Sequence, residues 1–266
     1  MRRHFHKMHG LGNDFVIIDA RDEPFEVTSE LASAIADRRT GIGCDQLIVL
    51  EPSDKADLEM RIWNKDGGEV ESCGNATRCV IQLTGAKTID SAGGLLEGDS
   101  AGAEVEVSIG EPRFAWNEIP LAYPMDTDAL PMGWDGLEHP MALNVGNPHL
   151  VFFVEDPLEI DLYELGPRIE HDPAFPERIN VNLARVSGND IHLETWERGA
   201  GLTLACGTGA CATGVAAIKA RLATSPLRVI MPGGSLTISW KPGEAVRMRG
   251  GTTHVFEGEI DLEAFR

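Results

Sequence analysis

Short stretches of alternating apolar and polar residues recur along most of the chain. The segment AEVEVSI at 103–109 alternates with a period of two, which is typical of a strand with one buried face. Similar segments, bounded by turn-forming residues, predict further strands at 14–19, 46–50, 57–64, 149–154, 190–198, 227–233, 235–240, 245–250 and 253–262. The pattern therefore predicts a protein built mainly from short strands.

Only three segments have the residue pattern of a helix. The first, 28–41, begins with the capping candidates Thr28 and Ser29 and ends at a glycine. The other two, 74–87 and 207–223, each begin directly after a cysteine and open with a glycine. The polar, proline-containing stretch at 110–128 is the best candidate for a boundary between two halves.

The two Cys-Gly pairs divide the chain into halves of similar layout. Cys73 and Cys206 are 133 residues apart in a chain of 266, and in each half strands lead into a Cys-Gly turn and then a helix. We infer an α+β fold of two pseudo-symmetric lobes, each a mostly antiparallel β-barrel-like sheet wrapped around a central helix. The predicted lobes are 1–117, completed by a C-terminal strand at about 253–266, and 118–252. We expect the active site between them.

Composition narrows the class of protein. With 42% hydrophobic residues the chain can form a core, and its net charge of −19 disfavours nucleic acids and anionic membranes as partners. The odd count of five cysteines does not fit a secreted disulfide framework, and no apolar run approaches the length of a membrane span. These features predict a cytoplasmic protein with reduced thiols.

The position of Cys73 and Cys206 before helices suggests reactive thiols. The first N–H groups of a helix lack intrahelical partners, and with the helix dipole they favour an anion, so each thiol pKa is expected to be lowered. Glycine at the next position lets a ligand approach the backbone, and Asn75 and Thr208 add side-chain donors. The other helix cysteines, Cys79 and Cys211, have apolar neighbours and are predicted to be packing residues.

Neutral amide side chains near strand ends and turns form a second group. A single asparagine in a turn is ordinary turn chemistry, but amides together with one arginine suit a zwitterionic substrate that carries carboxylates. The members of this group are Asn13, Asn64, Asn147, His149, Asn180, Asn182, Glu197 and Arg198.

Five ordered motifs resemble the diaminopimelate epimerase family: HGLGNDF, SCGNATRC, GNPH, NVNL and ERGAGLTLACGTGACA. The resemblance spans almost the whole chain. It implies a cofactor-independent epimerase, with neither pyridoxal phosphate nor a metal, that converts LL-2,6-diaminopimelate to the meso form in lysine and peptidoglycan precursor biosynthesis. The implied partner is a small diamino dicarboxylate, and the implied assembly is a homodimer.

The resemblance also implies roles for individual residues. Cys73 and Cys206 match the two catalytic bases, and His149 and Glu197 match groups that tune their pKa. Residues that match substrate-binding positions are Asn13, Gln46, Asn64, Gly74, Asn75, Asn147, Asn180, Glu197, Arg198, Gly207 and Thr208.

Several positions depart from the family pattern, among them residues 76–79 (ATRC), where a version with glycine is frequent. Leu202 stands where glutamate is common, which is expected to change packing rather than chemistry, and Cys44 replaces other small or aromatic residues. Phe256 stands where some members have a tyrosine linked to dimer formation.

Other functions remain open on sequence alone. The same two-base layout serves proline and hydroxyproline epimerases. Two facing thiols could instead form a redox switch in a binding protein. A zinc module is a third alternative, although the Cys73–Cys79 and Cys206–Cys211 spacings do not match a Cys-x2-Cys knuckle.

Overall fold

The computed structural model describes residues 2–71 and 73–265, so Ser72, in the first Cys-Gly turn, lies outside the described part. By their internal contacts, the residues form two compact units, Met1–Val107 with Gly250–Arg266, and Ser108–Arg249. The boundaries predicted after residues 117 and 252 stay predictions, because compactness does not test which segments fold independently.

The first unit contains two helices, α1 (Ser29–Ala36) and α2 (Gly74–Thr84). Its strands are β1 (Arg2–Gly10), β2 (Asn13–Asp19), β3 (Gln46–Glu51), β4 (Leu58–Asn64), β5 (Glu69–Val70), β6 (Thr88–Ser91) and β7 (Gly94–Ala101), with β8 (Glu104–Gly110) leading into the second unit and β19 (Thr253–Asp261) returning from it. Strand β1 pairs with both β2 and β19, antiparallel in each case.

The second unit contains helices α3 (Leu162–Glu170) and α4 (Gly207–Lys219). Its strands are β9 (Gly133–Trp134), β10 (Leu137–Glu138), β11 (Met141–Asn144), β12 (Pro148–Phe153), β13 (Asn180–Ser187), β14 (Asp190–Glu197), β15 (Gly201–Thr203), β16 (Leu227–Met231), β17 (Gly234–Ser239) and β18 (Val246–Gly251). A single 3₁₀ turn lies at Pro157–Glu159 in this unit, and another lies at Leu262–Phe265 in the first unit.

Both units use the same sequence of strand pairings. In the first, β1–β2, β3–β4 and β6–β7 are antiparallel, whereas β2–β3 and β4–β6 are parallel. In the second, β11–β12, β13–β14 and β16–β17 are antiparallel, whereas β12–β13 and β14–β16 are parallel. A helix joins the strands of each parallel pair, because parallel neighbours need a crossover connection. The predicted α+β fold with repeated, mostly antiparallel halves is confirmed.

In each unit the helix that follows the Cys-Gly pair packs against several strands. Helix α2 packs against β1, β2 and β7, and α4 packs against β11–β14, β16 and β17. Residues 209–217 of α4 are all buried, which explains why this helix is so rich in alanine and glycine. Small side chains allow strands to approach a helix from several sides.

The helices end earlier than the sequence predicts. Helix α2 ends at Gly85, whose backbone is left-handed (φ 72°) and whose N–H returns to Ile81, as in a glycine C-cap. Helix α1 ends at Ala36 instead of Gly41, because Asp37 takes an extended backbone and its carboxylate accepts from the N–H groups of Arg39 and Thr40.

The sequence did not predict helix α3 or the strands β1, β5, β6, β7, β9, β10, β11, β13 and β15. For three of these elements the reason is clear. Most residues of β1 (RRHFHKMHG) are arginine, lysine or histidine, so the sequence shows no alternation of apolar and polar residues. Helix α3 contains Pro167, a residue that normally argues against a helix interior. Strand β13 is buried over its first five residues because it lies between β12 and β14, so it has no period of two.

Among the described residues, no helix is long and apolar enough to cross a membrane; α4, with 13 residues, is the longest.

Replacing Gly214 by alanine tests the tight packing of α4. A Cβ there would lie 2.8 Å from Cγ2 of Ile238 on β17. The steric cost of about 1–3 kcal/mol should exceed the helix-propensity gain of about 0.5–1 kcal/mol. Urea denaturation should therefore show a lower free energy of unfolding.

The matched control is Gly251→Ala, where within 4 Å a Cβ meets only the Ala103 carbonyl oxygen, at 3.9 Å. Equal stability of the two variants would contradict the packing argument.

Candidate active site

In the first unit, Cys73 occupies the N-cap of α2. Its backbone is extended (φ −150°, ψ 111°), and its carbonyl accepts from Thr77 N–H at 2.9 Å, the first hydrogen bond of the helix. The thiol is half-buried and donates to Oδ1 of Asn13 at 3.7 Å. Cys73 therefore lies beside the positive end of the helix, as its sequence position predicts.

A hydrogen-bonded chain of side chains holds Asn13 and Asn75 next to this thiol. Asn75 Nδ2 donates to Asn13 Oδ1 at 3.2 Å, and Arg78 donates to Asn75 Oδ1 at 2.9 Å. Asn13 in turn donates to the carboxylate of Asp45 at 3.1 Å. Arg78 is fully buried, so its guanidinium places a positive charge next to the start of α2. Asp45 and Arg78 were not among the predicted site residues.

Gln46 and Asn64 form a second pair in the same unit. They lie directly opposite each other on β3 and β4, and Gln46 Nε2 donates to Asn64 Oδ1 at 2.9 Å. Among the described residues, Gln46 Oε1 is a buried acceptor without a hydrogen-bond partner. A buried acceptor in this state is suited to receive an N–H from a ligand.

In the second unit, Cys206 occupies the N-cap of α4. The sulfur accepts from Gly209 N–H at 3.3 Å and lies 3.5 Å from the Thr208 hydroxyl. The thiol donates to Oε2 of Glu197 at 3.0 Å, while Thr203 donates to the other carboxylate oxygen at 2.6 Å. Glu197 reaches the thiol because it ends β14, opposite Gly201 of β15.

The electrostatics of Cys206 differ from the expectation. Burial raises the pKa of the Cys206 thiol well above its ordinary value, and the adjacent Glu197 carboxylate raises it further. The Thr208 hydroxyl and the Gly209 N–H lower it, but they do not compensate for desolvation. The prediction that the position before the helix lowers the pKa of this thiol is wrong, and Cys206 carries its proton at neutral pH.

His149 is a neutral, fully buried side chain in the second unit. Desolvation, and secondarily Arg198, lowers the pKa of His149 to about 3. Its Nδ1 lies 3.1 Å from Asn182 Nδ2, so that nitrogen accepts and Nε2–H donates to Asn147 Oδ1 at 2.8 Å. His149 therefore fixes the orientation of the Asn147 amide. Its predicted role in tuning a cysteine stays a prediction.

Asn182, which the family resemblance does not assign to substrate binding, organises this cluster. Its amide contacts His149, donates to the Leu150 carbonyl at 2.8 Å and accepts from Thr195 at 3.1 Å. A Cβ on Gly209 would lie only 2.7 Å from Asn182 Oδ1, so the start of α4 approaches this amide closely. Contacts of this kind leave no signal in sequence spacing.

A hydrogen bond joins the Asn180 side chain to the backbone of Arg198. Asn180 accepts from Arg198 N–H at 2.9 Å and donates to the Pro148 carbonyl at 2.7 Å. The Arg198 side chain is exposed, and its guanidinium donates to the Glu177 carbonyl at 2.9 Å. Gly207 is the first residue of α4, just as Gly74 is the first of α2.

Glu170 is a buried carboxylate that sequence reasoning missed. It accepts from Trp196 Nε1 at 2.7 Å and from Gly199 N–H at 3.0 Å, and it lies 3.7 Å from Arg178. These hydrogen bonds fix the turn between β14 and β15, and the start of this turn places Glu197 beside Cys206. In the sequence, only a position at the end of a helix would mark Glu170, and helix α3 was not predicted.

The remaining cysteines are packing residues, as predicted for Cys79 and Cys211, both of which are fully buried. Burial raises the pKa of Cys79 to about 12 and that of Cys44 to about 11, so neither is a nucleophile at neutral pH. Leu202 packs against the core cluster of the second unit, as expected for a change in packing.

A family model described as diaminopimelate epimerase matches residues 5–115 and 141–255. A diaminopimelate epimerase from Rhizorhabdus wittichii is 62% identical and covers 100% of this chain and 98% of its own length. One from Sphingopyxis alaskensis is 60% identical over 100% of both chains.

Solved structures with low sequence identity share the fold. A hydroxyproline epimerase from Agrobacterium vitis aligns with a TM-score of 0.67 and 13% identity over 97% of this chain and 92% of its own. A phenazine biosynthesis protein from Bacillus anthracis aligns with a TM-score of 0.67 and 15% identity over 98% and 99%. These similarities concern the fold alone.

The Glu197→Gln substitution tests the electrostatics of Cys206. Removing the negative charge beside the sulfur should lower the pKa of Cys206, so its thiolate absorbance should develop at lower pH. The titration is made in a Cys73→Ala background, with Cys206→Ala as the blank.

Glu194→Gln is the matched control, because Glu194 lies on the same strand and the described contacts of Cys206 do not include it. An unchanged Cys206 titration in Glu197→Gln would show that Glu197 does not set this pKa.

Proposed function

Because the chain belongs to the diaminopimelate epimerase family, we propose that it interconverts LL- and meso-2,6-diaminopimelate with Cys73 and Cys206 as the two acid–base groups. The observation that carries this proposal is the repeated geometry, in which each unit places one cysteine at the N-cap of a packed helix. The reaction would serve lysine and peptidoglycan precursor biosynthesis.

Inversion at an α-carbon requires removal of a proton on one face and delivery on the other. A thiolate at Cys73 removes the proton, and the thiol of Cys206 donates its own to the opposite face. The raised pKa of Cys206 supports the donor role, because it keeps this sulfur protonated. In the opposite direction Cys206 must act as the base, and the Glu197 carboxylate, 3.0 Å from Sγ, is placed to accept its proton beforehand.

The carbanion next to a carboxylate is the costly species, because negative charge accumulates on the carboxylate. The N–H groups that open α2 and α4 supply donors for that charge without reorganisation. Losing one such donor typically lowers the rate by about 10²–10³. In the proposed mechanism, Gly74, Asn75, Gly207 and Thr208 contribute these donors, and no pyridoxal group is required.

The amide side chains suit the rest of a diamino dicarboxylate. Gln46 Oε1 is a buried acceptor suited to an ammonium N–H, and Asn64 orients it. Asn147, held by His149, and Asn180 offer further polar contacts, and Arg198 offers a guanidinium for a carboxylate. Asn13 and Glu197 complete the proposed set.

We also propose a cytoplasmic homodimer. Two working thiols require a reducing compartment, since disulfides form and persist in oxidising ones. Phe256 and its neighbour Val255 are 47% and 52% exposed on β19. Adjacent apolar side chains at this exposure favour burial against a second copy.

Replacing either Cys73 or Cys206 by alanine should abolish epimerisation, because one face of the α-carbon then lacks its proton carrier. In deuterated water the wild-type protein should introduce solvent deuterium at the α-carbon of the product from either stereoisomer. Mass spectrometry measures the incorporation, and chiral chromatography measures the isomer ratio.

Cys79→Ala is the control, because that thiol is buried and has a raised pKa, and the variant should retain epimerisation. Near-normal rates in Cys73→Ala, or product without deuterium, would contradict the two-base mechanism. Turnover of proline or hydroxyproline instead of diaminopimelate would contradict the proposed substrate.

Replacing Phe256 by glutamate should convert the dimer to a monomer, because a charge cannot be buried unpaired in an apolar interface. Light scattering coupled to size exclusion measures the mass. Leu158→Glu is the control, since Leu158 is 79% exposed in the other unit, and this variant should remain dimeric. A monomeric wild-type protein would refute the proposal.

A further inference from the structure

Two histidines and a glutamate converge on one face of the β1/β19 strand pair. One ligand-type atom from each of His6, His254 and Glu257 lies within 4.8 Å of the other two. All three belong to the first unit, and none is among the residues proposed to bind substrate. The cluster therefore needs an explanation of its own.

Strand register produces this convergence. His6 lies directly opposite Glu257, so their side chains leave the pair on the same face. The register then shifts between Lys7 and Met8, and His254 becomes the partner of Met8. With regular pairing Val255 would occupy that position. The bulge thus brings a second imidazole to the face of His6, as bulges commonly redirect side chains.

The two distances from His6 are close to those between neighbouring ligands of a tetrahedral metal. Metal–nitrogen and metal–oxygen bonds of about 2.0–2.1 Å at tetrahedral angles place ligand atoms about 3.3 Å apart. In the structure, His6 Nδ1 lies 3.1 Å from His254 Nε2 and 3.5 Å from Glu257 Oε2. Small side-chain rotations would open the cluster enough to admit an ion.

The contact between the two imidazoles also suits a cation. Since two ring nitrogens face each other at 3.1 Å, one of them must carry a hydrogen, and a metal ion would replace it.

We propose that His6, His254 and Glu257 form a binding site for Zn²⁺ or a chemically similar divalent transition metal, with water at the fourth position. Two imidazoles and one carboxylate are a donor set that zinc uses, whereas Mg²⁺ and Ca²⁺ prefer oxygen ligands. A bound ion would connect the N-terminal strand to the strand that returns from the second unit. Its effect would be on stability, because binding to the folded chain alone favours folding.

Cobalt binding tests the proposal. The protein is prepared with Cys73→Ala and Cys206→Ala, so that the two proposed catalytic thiols cannot bind the metal. Titration with Co²⁺ should give the intense visible bands of a tetrahedral site, and Zn²⁺ should displace them. His254→Gln in this background should weaken Co²⁺ binding at least ~10-fold, since removing even a group that supports a ligand costs about 10–100-fold. Glu257→Gln should also weaken it.

His192→Gln is the matched control, because His192 lies on β14 of the second unit, outside the cluster, and it should bind Co²⁺ like the parent. Zn²⁺ should also raise the melting temperature of the parent and of His192→Gln, but not that of His254→Gln. The proposal is overturned if the parent gives no tetrahedral Co²⁺ spectrum, or if His254→Gln binds within twofold of it.

Discussion

The placement of a thiol at the start of a packed helix is the constraint on which the candidate site depends. An N-cap residue must leave the helical backbone conformation, so its side chain emerges beside the unpaired N–H groups of the first turn. Cys73 and Cys206 both meet this condition, with φ of −150° and −111°. Each glycine that follows leaves room for a ligand to reach those N–H groups. In each unit, strands pack against the helix that has this cysteine at its N-cap.

Burial, not the helix end, decides the protonation of Cys206. The helix dipole and the Gly209 N–H favour a thiolate, but desolvation and the Glu197 carboxylate favour the thiol and prevail. A sulfur in this state is suited to give a proton rather than to take one. Glu197 also requires support, and Glu170 supplies it by holding Trp196 and Gly199 at the turn between β14 and β15.

Elements whose sequence signal lies within their own segment were predicted. Examples are α2, which has a glycine at each end, and β8, which alternates regularly. Strand β13 was missed because a strand with neighbours on both sides is buried without alternation. Helix α3 was missed because Pro167 argues against a helix, although Asp161 caps it by accepting from two N–H groups.

By itself the sequence determined the family, the two Cys-Gly turns and the asparagine motifs, because these depend on residue identity and spacing. Only the tertiary structure decided which groups meet. The partners of Asn13, the pairing of Gln46 with Asn64 and the carboxylate beside Cys206 join residues that are distant in the chain. It also decided the pKa of Cys206, since desolvation depends on the atoms packed around a group and not on its neighbours in sequence.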